Sequence, residues 1–154
     1  MLHIADKAAF QNSLADLPLV TYQPGETVIV DGSTTGRLLI LKKGNVAVVK
    51  EDTEIATVAE PGAVFGELSI LLDKPHTADV RALETSQFHV ADASALLTQN
   101  PIAALYVAAV LAHRLDGVIQ LKNQLQTGES YSVVTKTVSR MEGLLAVGDD
   151  FIDD

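Results

Sequence analysis

The sequence predicts a mainly β fold with flanking α: an antiparallel, jelly-roll-like roll with an N-terminal helix and a long C-terminal helix. Three observations predict it. Between residues 17 and 91, short β-branched and apolar runs alternate with Gly- and Pro-containing turns. From Pro101 to Gln126 nothing breaks a helical pattern. Between these regimes stands FGELSILLDKPHTADVRA, residues 65–82, the stretch that the neighbouring strands are arranged to present.

Residues 3–14, HIADKAAFQNSL, carry apolar side chains at helical spacing and predict a short helix packed on the roll. His3 reads as a solvated terminal residue. Leu19-Val20-Thr21-Tyr22 is a strand, followed by Gln23-Pro24-Gly25-Glu26, where Gly in third position signals a type II turn. Residues 27–30 form the next strand, and Asp31-Gly32-Ser33 turns the chain again. Residues 37–41 and 46–49 flank Lys43-Gly44-Asn45, which predicts a hairpin. Residues 54–58 lead into the turn Glu60-Pro61-Gly62, and residues 78–82 and 87–91 complete the strands.

Helix follows. Asp92-Ala93-Ser94 caps residues 95–99; Asn100 is a good N-cap and Pro101 is favoured at the first helical position. Gly117 costs the long helix about 1 kcal/mol against Ala, and Gly128 is its stop. Leu111, Leu115, Val118 and Leu125 form an apolar stripe that Lys122 interrupts. Such a helix is long for packing only on its own small barrel. The stripe predicts a partner helix, most simply a second copy, giving a homodimer through residues 101–126. The competing reading lays the whole helix on its own barrel. Residues 1–127 thus form one domain, and 128–154 a short helical acidic tail.

Bulk properties bound the function. Within the 154 residues, 47% hydrophobic content is ample for a core. No uninterrupted apolar run approaches the roughly 18 residues of a membrane span, so no membrane association is expected. The N-terminus lacks the form of a signal peptide, cysteine is absent, and a cytoplasmic protein is the expectation. Lys and Arg total 11 against 20 Asp and Glu, a net charge of −9 that disfavours generic nucleic-acid binding. In 129–154 Lys136 and Arg140 face Glu129, Glu142, Asp149, Asp150, Asp153 and Asp154. A recognition helix of that charge is repelled by DNA, so no DNA binding by this chain alone is expected.

Catalysis and metal chemistry find no support. His3, His76, His89 and His113 are scattered without a His-x-His pair, so a cupin-type metal site is not expected. His89, between Phe88 and Val90 in a strand, reads as a surface partner of its neighbours. No nucleophile-base arrangement and no P-loop appear, so no enzyme, catalytic residue or resident cofactor is expected.

The stretch 65–82 makes sense as a binding element. Gly66 lets a backbone approach a ligand closely. The apolar run Leu68, Ile70, Leu71, Leu72 forms a helical turn or two, whose first N–H groups suit an anion. Glu67 is an odd neighbour for an anion itself but suits a sugar hydroxyl, which donates a hydrogen bond. The candidate ligand-binding residues are Gly66, Glu67, Leu68, Ser69, His76 and Thr77.

With Phe65, Gly66, Glu67, Leu68, Ser69, Pro75, Thr77, Ala78, Val80 and Ala82 in step, the stretch resembles the phosphate-binding cassette of cyclic nucleotide-binding domains. Gly25, Gly32, Gly44, Gly62 and Gly66 sit where that family places its turns. Asn100-Pro101 and Ala112-His113-Arg114-Leu115 resemble the dimerisation helix of its catabolite-activator and FNR branch. The resemblance implies a β-roll, a cyclic AMP or cyclic GMP ligand, and Glu67 on the ribose 2′-hydroxyl. Two departures stand out. His76 occupies the place of the arginine that pairs with the cyclic phosphate. Val118 and Ile119 lie where that branch reaches the base with polar residues. The branch continues into a winged helix-turn-helix, for which residues 129–154 are too few.

His76 is the weightier departure. Arginine offers a charged fork of donors. Histidine, with an unperturbed pKa of about 6.5, offers one neutral hydrogen bond at neutral pH. Losing the charged partner weakens cyclic AMP binding by about 2–4 kcal/mol. Arg81, five positions on, points to the other strand face, and Lys74 is a flexible substitute of poorer fit. Three readings follow. The preferred one is a stand-alone regulatory protein that binds a cyclic nucleotide or related anion at 65–82, weakly because of His76. The alternatives are a ligand-free domain acting as a dimeric protein-interaction module, and a truncated partner of a full-length transcription factor.

Overall fold

Alternation along the strands decides the architecture. In the computed structural model, which describes residues 6–126, two antiparallel four-stranded sheets enclose an apolar interior. One runs β1 (Leu19–Tyr22), β8 (Ser86–Asp92), β3 (Arg37–Lys43), β6 (Val64–Phe65); the other β2 (Thr27–Ile29), β7 (Asp79–Ala82), β4 (Val46–Lys50), β5 (Thr53–Val58). Ile29, Leu39, Leu41, Val46, Val48, Phe65, Val80 and Phe88 fill the space between them. Phe88 meets Phe65 and Tyr22 edge-on, with centroids 5.7 and 5.8 Å away. The expected mainly β roll with flanking helices is what forms.

β3 is buried on both faces because it serves two cores. Leu39 and Leu41 enter the roll, whereas Leu38 and Ile40 face a helical layer. That layer is α1 (Lys7–Ser13), α3 (Ala93–Gln99) and α4 (Pro101–Gln126). Phe10 stacks on Tyr106 with centroids 4.0 Å apart. The caps behave as their residue types dictate. Asp6 accepts from the Ala8 and Ala9 amides, Asp92 from Ala95 at 2.8 Å, and Asn100 from Ala103 at 3.0 Å. The Asn100 amide also donates to the Ser13 hydroxyl, tying the start of α4 to the end of α1.

The structure differs from the sequence expectations in several places. Residues 37–41 and 46–49 do not form a hairpin: β3 and β4 lie in different sheets. Gly44 marks a corner, with φ +128° and so little room that a Cβ would collide with Ser86. The real hairpin joins β4 to β5 through Glu51 and Asp52, both at positive φ, a turn made without glycine. α1 begins at Lys7, inside the expected 3–14, and β6 was not expected at all. By length and composition Pro101–Gln126 passes for a membrane-crossing helix, a test that core helices also pass, although His113, Arg114 and Asp116 interrupt its apolar run. Its first half is used as a core helix instead, burying Ala103, Tyr106, Val107, Val110 and Arg114. Beyond Arg114 none of its residues is buried, so the reading that lays the whole helix on its own barrel holds for that half alone. The acidic tail 128–154 and His3 lie outside the described residues.

Candidate functional site

The site is built where β6 turns into α2 (Glu67–Leu71). Gly66 makes the turn at φ +95°, and a Cβ there would come within 2.7 Å of the Arg37 carbonyl oxygen, so only glycine fits without strain. The loop after α2 folds back on it. The Ser69 hydroxyl donates to the Lys74 carbonyl at 2.6 Å, and the Lys74 amide donates to the Ser69 carbonyl at 3.0 Å. His76 is then stitched to the β2–β3 loop: its amide donates to the Ser33 carbonyl and its carbonyl accepts from the Gly32 amide. Its imidazole Nε2 lies 3.3 Å from the Thr35 hydroxyl.

These constraints bring all six expected residues, Gly66, Glu67, Leu68, Ser69, His76 and Thr77, around one pocket, with Ala78 and, from the strands beside it, Ile29 and Val80. The pocket encloses about 350 Å³ counting its open mouth, but only about 20 Å³ is cavity proper, room for one water molecule. Burial pushes the His76 imidazole below its ordinary pKa of 6.5, which keeps it neutral near pH 7. Arg81 is engaged elsewhere, donating to Asp79 at 2.9 Å on the outer face of β7. The Asp31 amide, and then Arg81, hold the Asp79 carboxyl below its usual range. Lys74 contributes its backbone to the loop.

Glu67 is where the sequence reading fell short. It is not an open acceptor at the pocket wall: its carboxylate is ion-paired with Arg114 of α4, and both residues are 1% exposed. A carboxylate taken out of water needs a counter-charge, and α4 supplies one. Nη1 of Arg114 makes this bond; Nε and Nη2 are buried with no hydrogen-bond partner among the described residues. Arg114 was overlooked although its position was visible. It ends the series Ala103, Val107, Val110, Arg114, the buried face of α4. Residues 116–119, expected near a ligand base, do not line the pocket. Among the described residues no three acidic or imidazole side chains gather to hold a metal ion.

Comparison with known proteins decides the family. The model of the cyclic nucleotide-binding domain matches residues 19–99, more than half of the chain. The chain belongs to the cyclic nucleotide-binding domain family. A cGMP-dependent protein kinase of Plasmodium berghei (strain Anka) is 36% identical over 86 residues, 56% of this chain and 10% of the kinase. The chain thus spans a small fraction of the length of the curated relatives it matches. The catabolite activator protein of Thermus thermophilus shares the fold with a TM-score of 0.61 and 21% identity, over 91% of this chain and 82% of that one. The guanosine-bound regulatory subunit of a cAMP-independent protein kinase A from Trypanosoma cruzi is also similar, with a TM-score of 0.55 and 21% identity, over 80% of this chain and 42% of that one. Both likenesses show the fold. In this domain the 65–82 stretch lies against the roll and is tied to α4 by the Glu67–Arg114 pair.

Proposed function

We propose that this domain is a regulatory module that binds a cyclic nucleotide, cyclic AMP or cyclic GMP, or a related anion at the 65–82 cassette, with affinity lowered by His76. The observation that carries the reading is the convergence of Gly66, Glu67, Leu68, Ser69, His76 and Thr77 on one pocket whose acidic member is tied to α4. A ligand hydroxyl reaching Glu67 meets a carboxylate already shared with Arg114. Binding therefore alters the seam between cassette and helix, and the two spare guanidinium nitrogens give the ligand further donors. The response passes along α4. Leu115, Val118, Ile119 and Leu125 are exposed on its second half, which supports pairing with a second copy.

The small cavity requires the cassette to open as ligand enters, so part of the binding free energy is spent on that motion. The same closure supports a second reading, a ligand-free interaction module in which Arg114 permanently satisfies Glu67. Titration calorimetry with cyclic AMP, cyclic GMP and guanosine at millimolar concentration separates them. The sensor reading expects heat of binding with at least one cyclic nucleotide and a weaker response to guanosine, which has no phosphate. Silence with all three leaves the interaction module. Guanosine binding as tightly as the cyclic nucleotides removes the phosphate from the account.

A further inference from the structure

The loop between β2 and β3, residues 30–36, is fastened to His76 at three points. The Gly32 amide donates to the His76 carbonyl at 2.8 Å, and the His76 amide donates to the Ser33 carbonyl at 2.9 Å. The third point is the Thr35 hydroxyl, 3.3 Å from the imidazole Nε2. The ring also packs its Cε1 against Gly66, 3.4 Å from where a Cβ would stand. The imidazole is thus held between the loop and the start of α2. Thr35 itself is exposed and does not line the pocket, whereas His76 does. What Thr35 can offer follows from its other hydrogen bond. Its Oγ1 accepts from the Arg37 amide at 3.3 Å, and its proton has no protein acceptor other than Nε2 among the described residues. The His76 Nδ1 makes no hydrogen bond among these residues and is not enclosed.

We propose that Thr35 is a positioning residue: by donating to Nε2 it fixes neutral His76 as the Nδ1–H tautomer and leaves that N–H for a ligand in the cassette pocket. The inference rests on the reading of the pocket as a site for a cyclic nucleotide or related anion, and adds the residue that makes its histidine a donor. A neutral imidazole has one donor and one acceptor nitrogen, and the hydrogen bond at one of them sets which carries the proton. With the proton on Nε2 instead, Nδ1 would present a lone pair to a phosphate oxygen, and two acceptors repel. Arginine needs no such helper, because each of its nitrogens donates. The loop hydroxyl matters because residue 76 is a histidine.

The test is long-range proton–nitrogen NMR of the full chain without ligand, above neutral pH, with the His76 signals assigned by their loss in His76→Gln. Nδ1 is expected at the shift of a protonated ring nitrogen and Nε2 at that of an unprotonated one. Thr35→Val keeps the shape and removes the hydroxyl, so it should move both nitrogens toward the other tautomer. Thr35→Ser should restore the original pattern. Thr35 is exposed, so neither change should alter the melting temperature. In calorimetry with cyclic AMP and cyclic GMP, Thr35→Val should bind roughly tenfold more weakly than the unaltered chain, and Thr35→Ser about equally. The proposal is overturned if Nε2 carries the proton in the unaltered chain, or if Thr35→Val leaves the His76 nitrogens or the affinity unchanged. It is also overturned if valine weakens binding and serine does not restore it. If the unaltered chain binds neither nucleotide, the reading of the pocket falls, and the unliganded spectrum still decides whether Thr35 sets the tautomer.

Discussion

The interior of the roll and the seam between cassette and α4 are both dry, yet they are held by opposite means. The roll is closed by aliphatic and aromatic side chains whose attraction has no direction and no single indispensable contact. The seam rests on one carboxylate and one guanidinium, each almost fully removed from water. There the stabilisation is conditional on pairing, because a charge left without its partner in the interior is heavily penalised. The difference teaches where ligand control can reside. Polar groups of a nucleotide have nothing to exchange with Phe88 or Val48, but they can share or displace what Glu67 gives Arg114.

The largest effects break this comparison most directly. Phe88→Ala should cost about 3–5 kcal/mol in urea unfolding, with no second substitution nearby that restores it. Arg114→Ala should cost a similar 3–5 kcal/mol, for the different reason that it strands Glu67. Replacing both members, Glu67→Leu with Arg114→Met, should recover most of that loss, since a buried ion pair exchanged for apolar groups of similar volume is close to neutral. A double variant as unstable as Arg114→Ala alone would make the seam an ordinary piece of core. Gly66→Ala comes next, at about 1–3 kcal/mol, because it forces a left-handed backbone on a residue with a Cβ that meets the Arg37 carbonyl.

The same contrast explains what could be read in the sequence. The roll was legible because short β-branched and apolar runs, with burial alternating along β7 and the start of β8, are separated by turns that Gly25, Gly32 and Gly62 mark at positive φ. The Asn100-Pro101 start of α4 was legible from capping chemistry alone. Pairing between strands was not. Lys43-Gly44-Asn45 looks like a hairpin locally, and only the closure of two sheets sends β3 and β4 apart. The β4–β5 turn was invisible because Glu51 and Asp52 adopt positive φ without the glycine that usually announces it. At the site, 65–82 gave the pocket residues, but the Glu67–Arg114 pair joins positions 47 apart in sequence. The one local signal was a cation closing the apolar series along α4.

The smallest expected effect is with pH. The folded pKa values of His76 and His89 lie below 6.5, both lowered first by burial. Between those values and 6.5 the unfolded chain binds protons that the folded chain refuses, so stability is full above pH 6.5 and declines as pH falls through that window. His76→Gln should flatten the His76 share of this slope in unfolding titrations. Anion binding has the opposite sign. A bound phosphate raises the His76 pKa, so affinity for a cyclic nucleotide should strengthen as the pH falls toward about 6.

The affinity of His76→Arg for cyclic AMP and cyclic GMP, measured by calorimetry beside the unaltered chain, tests the central claim most directly. If the cassette is a nucleotide pocket limited by its missing arginine, the variant should bind at least one of them roughly tenfold more tightly or better, and lose the gain toward acid pH. If the variant binds neither at millimolar ligand, the pocket formed by Gly66, Glu67, Leu68, Ser69, His76 and Thr77 is not a nucleotide site, and the domain acts through α4 alone.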